Sequence, residues 1–209
     1  MDFSSARYNM VESQVRTNDV TDLGIQDAMR TVPRERFCAP ARSFSAYAEV
    51  EAEICPGRWL MKPRDIAKLL QAAKPKSGER ALCLAAPYAA AVLAHMGLDV
   101  TAQEGDARAS AVLGQALEDA GVKLVTGDLA APQGEGYDLI VCEAAVHEVP
   151  AAWVSAVKVG GRIAVVRRDG PVGKACLTMR TEHGGSSREV FDSTPPILAG
   201  FERRPTFSF

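Results

Sequence analysis

The chain has 209 residues, of which 47% are hydrophobic and 24% are charged, and its formal net charge at pH 7 is −2. This composition is typical of a globular protein and excludes a disordered, collagen-like or coiled-coil chain. A net charge so close to zero also argues against a broad basic face for nucleic acid.

The first third of the chain is predicted to be largely helical. Apolar residues at positions 25, 28, 29 and 32 mark an amphipathic helix, which Thr21 would cap and Pro33 would end. Residues 38–62 show no periodicity and are predicted to be irregular, and long irregular segments of compact domains are often functional. Pro63 then opens a further amphipathic helix.

From residue 77 onward, apolar runs of strand length alternate with helical patterns. Strands are predicted over residues 81–86, 98–102, 122–126, 137–142 and 162–166. Helices are predicted over residues 88–96, 106–121 and 150–157, the last followed by a turn at Gly160 and Gly161. This alternation predicts a mostly parallel sheet with helices on both faces.

The tail has a different pattern. Strands are predicted over residues 174–180 and 188–191, joined by a glycine- and serine-rich hairpin loop over residues 182–187. The sheet is therefore predicted to end in an antiparallel edge pair. We expect one domain, in which residues 1–76 form an N-terminal helical extension and residues 77–209 form the α/β core.

The five cysteines are scattered, and none forms a C-x-x-C pair with another. This spacing predicts neither a zinc site nor a dithiol redox motif, so we expect no metal. The first ten residues lack the apolar core of a signal peptide, and no stretch reaches the ~18 apolar residues of a membrane span. The simplest interpretation is a cytoplasmic protein without a membrane or nucleic-acid partner.

In an open parallel sheet, ligands bind beyond the carboxyl ends of the strands, near the point where the strand order reverses. Acidic residues stand in the predicted loops at this edge. Glu104, or Gln103 beside it, is placed to accept hydrogen bonds from a ribose, and Asp128 to accept one from an adenine amino group. The alternative is that these are ordinary solvated loop acids. His147, also in one of these loops, is interpreted as a surface or capping group rather than a base.

The first of these loops has an unusual composition for a nucleotide-binding fold. Such folds place glycines here, because the backbone must turn tightly and approach the ligand without an intervening Cβ. This chain has the sequence LAAPY over residues 84–88, which contains no glycine, and Pro87 removes one amide donor. The fold tolerates a proline in the first turn of a helix, but the ligand cradle is predicted to be altered.

Several segments together carry a family resemblance. They are MVESQVR at 10–16, AMRTVPRERF at 28–37, and YDLIVCE at 137–143, which continues to Val149-Pro150 and to Gly160-Gly161-Arg162. Over residues 9–168 the chain resembles the protein-L-isoaspartate O-methyltransferases. The resemblance implies a three-layer Rossmann-like methyltransferase sandwich with a seven-stranded sheet. It also implies S-adenosylmethionine as cofactor and an isoaspartyl-containing protein as methyl acceptor.

The resemblance also implies where the ligands lie, although it assigns no catalytic residue. The cofactor would contact Ala85, Ala86, Tyr88, Gln103, Glu104, Asp128, Leu129 and Glu143. The acceptor would contact Arg58, Trp59, Met61 and Lys62. Arg58 and Lys62 could each attract an acidic group.

Two departures from the family pattern bear on activity. The glycine-rich cofactor loop of the family, D/E-x-G-x-G-x-G-Y, corresponds here to CLAAPY at 83–88, which is about two residues shorter. The substrate loop, G-Q-T-x-S-x-P, corresponds to GRWLMKP at 57–63, so that Trp59 and Met61 replace the Thr and Ser. Ala or Pro at a position that needs a positive φ costs about 1–3 kcal/mol. We therefore expect the loop to follow a changed path and to bind the cofactor weakly or not at all.

These departures leave three hypotheses. The leading one is a degenerate family member, impaired or inactive in methyl transfer, that is retained for binding a protein or an altered small ligand. The second is an active S-adenosylmethionine-dependent O-methyltransferase that acts on isoaspartyl carboxylates and uses Glu104, Asp128 and Glu143. The third is a non-catalytic interaction or oligomer module that uses the cluster Trp59-Leu60-Met61. This cluster either packs over the core, or plugs the acceptor cleft or docks a partner.

Overall fold

The computed structural model describes residues 2–203. The α-helices of this part of the chain are α1 (Phe3–Met10), α2 (Leu23–Thr31), α3 (Pro63–Ala73), α4 (Pro87–His95), α5 (Ala107–Asp119) and α6 (Ala151–Ala156). Its strands are β1 (Ala52–Cys55), β2 (Arg58–Leu60), β3 (Arg80–Leu84), β4 (Asp99–Glu104), β5 (Lys123–Thr126), β6 (Tyr137–Val146), β7 (Val157–Arg168), β8 (Gly173–Thr181) and β9 (Gly184–Asp192).

Seven of these strands form one sheet, in the order β5-β4-β3-β6-β7-β8-β9. Strands β3 to β7 are parallel, whereas β8 and β9 run antiparallel at one edge. The chain moves outward from β3 to β5 and then returns to the other side of β3 as β6, so the order reverses between β3 and β6. The predicted fold class, a mostly parallel Rossmann-like sheet with an antiparallel edge hairpin, is confirmed.

The sheet is buried on both faces, as the apolar strand sequences predict. Ala81 and Cys83 of β3 join the core cluster that contains α3, α4 and α5. Leu82 and Leu84 alternate with them and join the opposite cluster, which contains Trp153 of α6. No helix among residues 2–203 is both long and apolar enough to cross a bilayer.

Helix boundaries follow local capping chemistry. Asp106 caps α5 as predicted, since its Oδ1 accepts a hydrogen bond from the Arg108 amide at 2.8 Å. The predicted cap Thr21 of the first amphipathic helix is wrong. Asp22 caps α2 instead, by accepting from the Ile25 amide at 3.1 Å, while the Thr21 amide donates to Gln71 Oε1.

Three predicted irregular segments contain strands. Residues 38–62 hold the β1–β2 hairpin, which is too short to produce a periodic pattern. The predicted Gly160-Gly161 turn is a register shift within β7, where Gly160 has a φ of +82°. The predicted hairpin loop over 182–187 is shorter, because β9 begins at Gly184. Backbone pairing to a neighbouring strand overrides the local loop preference in each case.

Strand β6 is longer than predicted and is irregular. Its register with β7 shifts between Val141 and Ala145, where it holds two more residues than its partner. Glu143, predicted to lie in a loop, lies in this bulged part of the strand. Bulges re-aim side chains near the ends of strands, and this one sets the direction of the Glu143 carboxylate.

Candidate functional site

The candidate site lies at the carboxyl ends of β3, β4 and β6, where the strand order reverses. The loop that follows β3 keeps a left-handed turn although it has no glycine. Ala85 has a φ of +50°, and its amide donates to the Gln103 carbonyl at 3.0 Å. A side-chain-bearing residue in this conformation stores strain of about 1 kcal/mol. Ala85 and the following Ala86 are both buried.

Tyr88 lies in the core rather than at an open surface. Its ring is fully buried, with the Arg34 guanidinium 4.7 Å from the ring centre and the Phe37 ring edge-on at 5.9 Å. Its hydroxyl has no hydrogen-bond partner within the described residues. Burial raises the pKa of this hydroxyl, so Tyr88 stays neutral.

The Glu143 carboxylate caps the first turn of α4. It accepts a hydrogen bond from the Ala89 amide at 3.2 Å, and the nearby Tyr88 amide also lowers its pKa. Pro87, the first residue of the helix, has no amide hydrogen. The Ala90 amide already donates within the helix, to the Ala86 carbonyl at 2.9 Å. The Ala89 and Ala90 amides of this turn are therefore occupied by the chain itself, whereas in nucleotide-binding folds the amides of this turn face the ligand.

Burial shapes the electrostatics of Glu143. Desolvation raises its pKa to about 7, and the positive charge of Arg34 opposes this shift. Arg34 Nη1 lies 3.9 Å from Glu143 Oε1, and neither atom has a hydrogen-bond partner among the described residues. The two buried groups thus form an ion pair without a direct hydrogen bond.

No role was predicted for Arg34, although it lies in one of the segments that carry the family resemblance. Its Nε donates to the Ala46 carbonyl at 2.8 Å, and its Nη2 donates to the Met61 carbonyl. One fully buried guanidinium therefore ties the end of the β1–β2 hairpin to the start of α4 and to β6. Nothing in the local sequence distinguishes Arg34 from a solvated arginine, because its partners are distant in the chain.

Glu104 is paired with Arg58 of the hairpin. Arg58 Nη2 lies 2.7 Å from Oε2 and Nε lies 3.3 Å from Oε1, and both residues are at most 5% exposed. Oε1 also accepts from the amides of Gly105 at 2.9 Å and Asp106 at 3.1 Å. Glu104, whose position predicts a contact with a ribose, thus accepts hydrogen bonds from four donors of its own chain. Arg58, predicted to attract an acidic group, pairs here with Glu104 of its own chain.

Gln103 holds the next loop in place. Its Nε2 donates to the Asp128 carbonyl at 2.7 Å, and its Oε1 accepts from the Gln133 amide at 2.8 Å. Asp128 itself is exposed, and its Oδ1 accepts from the Ala130 amide at 2.9 Å. Gln103 therefore supports the loop, whereas Asp128 has a carboxylate at the surface.

One pocket of about 390 Å³ opens at this edge. Four of the predicted site residues line it: Arg58, Glu104, Asp128 and Leu129. The rest of the lining is Gly105, Asp106, Ala107, Leu198, Ala199 and Phe201. The last three belong to a C-terminal segment that sequence analysis did not assign to the site. The volume of this pocket lies within the range of small-molecule sites.

The predicted acceptor side is nearly closed. Residues 57–61 pack against Glu143, Ala144 and residues 195–198, and the space left between them is about 10 Å³, the room of one water. Residues 195–198 are held there by β6, since the Ala145 amide donates to the Pro196 carbonyl at 3.0 Å and the Leu198 amide donates to the Ala145 carbonyl at 2.8 Å. Met61 is buried, whereas Trp59 is half-buried. Lys62 Nζ lies 3.8 Å from Glu51 Oε1, away from this space.

Comparisons with known proteins agree with the resemblance. The family model described as "Protein-L-isoaspartate(D-aspartate) O-methyltransferase (PCMT)" matches residues 6–174. A protein-L-isoaspartate O-methyltransferase of Methylorubrum extorquens (strain PA1) is 34% identical over 95% of this chain and 91% of its own. The corresponding protein of Methylorubrum populi is 33% identical over 94% of this chain and 96% of its own.

A solved structure supports the fold independently. It is a putative protein-L-isoaspartate O-methyltransferase from Plasmodium falciparum in complex with S-adenosyl-L-homocysteine. The two chains superpose with a TM-score of 0.77 over 92% of this chain and 97% of the other, at 16% sequence identity. At this identity the likeness concerns the fold.

Proposed function

The chain belongs to the protein-L-isoaspartate O-methyltransferase family, and on that premise we propose that it is a member that does not transfer methyl groups and serves in binding instead. One observation carries the proposal: the Glu143 carboxylate occupies the first turn of α4. A ligand that needs the amides of this turn must displace a buried carboxylate that already accepts a hydrogen bond from the Ala89 amide. Pro87 and the methyl groups of Ala85 and Ala86 further separate this main chain from a ligand.

On this proposal, the residues at the α4 turn do not fit the S-adenosylmethionine that the family resemblance implies. The Ala85 backbone keeps the conformation that a glycine would favour, but its Cβ and the Pro87 ring stand where a bare backbone is expected. The closed acceptor side supports the same conclusion. Methyl transfer to a carboxylate is mainly a matter of positioning donor and acceptor, and a space of about 10 Å³ cannot admit a carboxylate-bearing peptide.

A binding role is supported by the hairpin surface. Trp59 is half-buried at the rim of the closed cleft, while Leu60 and Met61 beside it are buried. Tryptophan is enriched in protein interfaces, where a large rigid side chain is buried at low entropic cost. The cluster therefore closes the cleft on its inner side and presents one aromatic side chain to a protein partner on its outer side.

The second candidate is an active methyltransferase that acts on isoaspartyl carboxylates, as the names of the relatives state for those proteins. The pocket of about 390 Å³ favours it, because Glu104, Asp128 and Leu129 line that pocket together. This candidate requires that Arg58 leave Glu104 and that the α4 turn release Glu143 when the cofactor binds.

Titration calorimetry with S-adenosylmethionine and with S-adenosylhomocysteine tests the proposal. We expect no binding of either ligand, and no transfer of labelled methyl groups to an isoaspartyl peptide. The relative from Methylorubrum extorquens, assayed in parallel, is the positive control. Micromolar binding by this chain contradicts the loss of the cofactor site, and labelled peptide establishes the second candidate.

A further inference from the structure

The Arg58–Glu104 pair stands at a boundary between two otherwise different parts of the site. On one side lies the open pocket of about 390 Å³, and on the other lies the closed acceptor space. Arg58 lines both of them. The Arg58 side chain is therefore the part of the hairpin that reaches into the open pocket.

The hydrogen bonding of Glu104 leaves little capacity for a ligand. An ionised carboxylate offers about four acceptor positions. Oε1 takes three donors, from Arg58 Nε and the amides of Gly105 and Asp106, and Oε2 takes Arg58 Nη2. A ribose that presents two neighbouring hydroxyls needs two free acceptor positions on the carboxylate. These positions become free only when the Arg58 guanidinium no longer contacts Glu104.

Within residues 2–203, the rest of the pocket carries no comparable obstruction. Asp128 is exposed at its rim, and Leu129, Leu198 and Phe201 give it apolar walls of the kind that hold a planar base. The obstruction at the α4 turn, where Glu143 sits, concerns a different part of the ligand. Among the described residues, the Arg58 side chain is therefore the one that excludes the base and ribose of a nucleoside.

We propose that Arg58 is an internal competitor for the Glu104 carboxylate, and that it closes this pocket to nucleosides. Removal of the guanidinium then creates a site for a nucleoside without a methionine tail. This inference rests on the proposed function, in which the α4 turn excludes the tail.

Calorimetric titration of the full chain with adenosine tests the inference, with Arg58→Gln as the variant. We expect adenosine to bind Arg58→Gln about ten-fold to a hundred-fold more tightly than the wild type, the gain of a charged hydrogen bond pair. Arg108→Gln is the charge-matched control, because Arg108 pairs with Asp106 at the same rim but is exposed and does not contact Glu104. It is expected to bind adenosine as the wild type does.

A second ligand distinguishes two reasons for tighter binding by Arg58→Gln: a Glu104 carboxylate that is free to bind hydroxyls, and a pocket that is only larger. 2′,3′-Dideoxyadenosine has no hydroxyls for Glu104, so it is expected to gain nothing from Arg58→Gln. Equal gains for both ligands, or no gain for adenosine, overturn the inference. Should Arg58→Gln fold poorly, Arg58→Lys keeps a cation that pairs with Glu104 at a single point, and a smaller gain for adenosine alone is expected. S-adenosylhomocysteine binding by the wild type counts against the proposed function and is read separately.

Discussion

Arg34 Nη1 and Glu143 Oε1 lie 3.9 Å apart in a fully buried setting, and the carboxylate also caps α4. The protonation of Glu143 is therefore set by opposing influences. The helix amides and Arg34 favour the carboxylate, while burial favours the neutral acid and raises its pKa to about 7. The balance makes this one group a source of pH dependence in the stability of the fold.

The first prediction concerns this pH dependence. Because the folded-state pKa of Glu143 is about 7 against an ordinary value of 4.5, its contribution to stability is fully present below about pH 4.5 and is lost as the pH rises through 7. The loss is on the order of 3 kcal/mol. Urea unfolding at about pH 5 and about pH 8 should show this loss in the wild type and not in Glu143→Gln. Glu148→Gln, at an exposed position, is the control and should retain it. Equal pH slopes for wild type and Glu143→Gln would contradict the prediction.

The second prediction concerns the left-handed residue of the loop. Ala85→Gly removes the strain at a φ of +50° and should leave stability unchanged or raise it by up to about 1 kcal/mol, despite the loss of a buried methyl group. The matched control is Ala86→Gly, where φ is −129° and no strain is relieved. This control should lower stability by about 1 kcal/mol. Urea unfolding measures both, and an equal loss in the two variants would show that Ala85 is not strained.

The third prediction separates the two departures from the family pattern. The double variant Trp59→Thr, Met61→Ser restores the hydroxyl residues of the substrate loop and widens the acceptor side. It should still transfer no labelled methyl group to an isoaspartyl peptide, since the α4 turn continues to exclude the methyl donor. A circular dichroism melt establishes that the variant is folded. Measurable transfer would mean that the substrate loop, and not the cofactor loop, limits activity.

The fourth prediction concerns Arg162 of β7, which joins the sheet to the end of α3 and to Glu79. Its guanidinium donates to the Ala73 carbonyl at 2.7 Å and forms two hydrogen bonds with Glu79, at 2.7 and 2.8 Å. Arg162→Ala should lower the free energy of unfolding by about 3 kcal/mol, because the buried Ala73 carbonyl and the half-buried Glu79 carboxylate lose their donor. Lys174→Ala breaks an exposed pair with Asp192 and should cost less than about 1 kcal/mol. Similar losses in both variants would show that burial does not distinguish the two pairs.

The sequence predicted the elements whose pattern is local and long enough to read. The α5 helix illustrates this, since Asp106 and Gly121 mark its ends and its apolar stripe is regular. The β1–β2 hairpin was missed because its strands have only four and three residues. Boundaries at Val146 and Gly184 were missed because pairing with a neighbouring strand, and not local preference, extends β6 and β9.

Several residues predicted for the candidate site lie together, but the contacts that they make were not predicted. Glu104, Asp128 and Leu129 do line one pocket, because their positions follow from the strand order alone. The partners of these residues do not follow from the strand order. Arg58 reaches Glu104 across 46 positions of the chain, and such a pairing has no local sequence signal. The same holds for Arg34, whose contacts with Met61 and Glu143 arise only when the hairpin packs on β6.

The parallel bridge between Ala145 and Ile197 has a consequence for biosynthesis. One wall of both the open pocket and the closed cleft comes from residues 195–201, which follow β6 by about fifty positions. The ribosome must therefore add about fifty residues beyond β6 before this wall can form. Until then the nascent sheet exposes the end of β6, and the region that later becomes inaccessible stays open to chaperones and proteases.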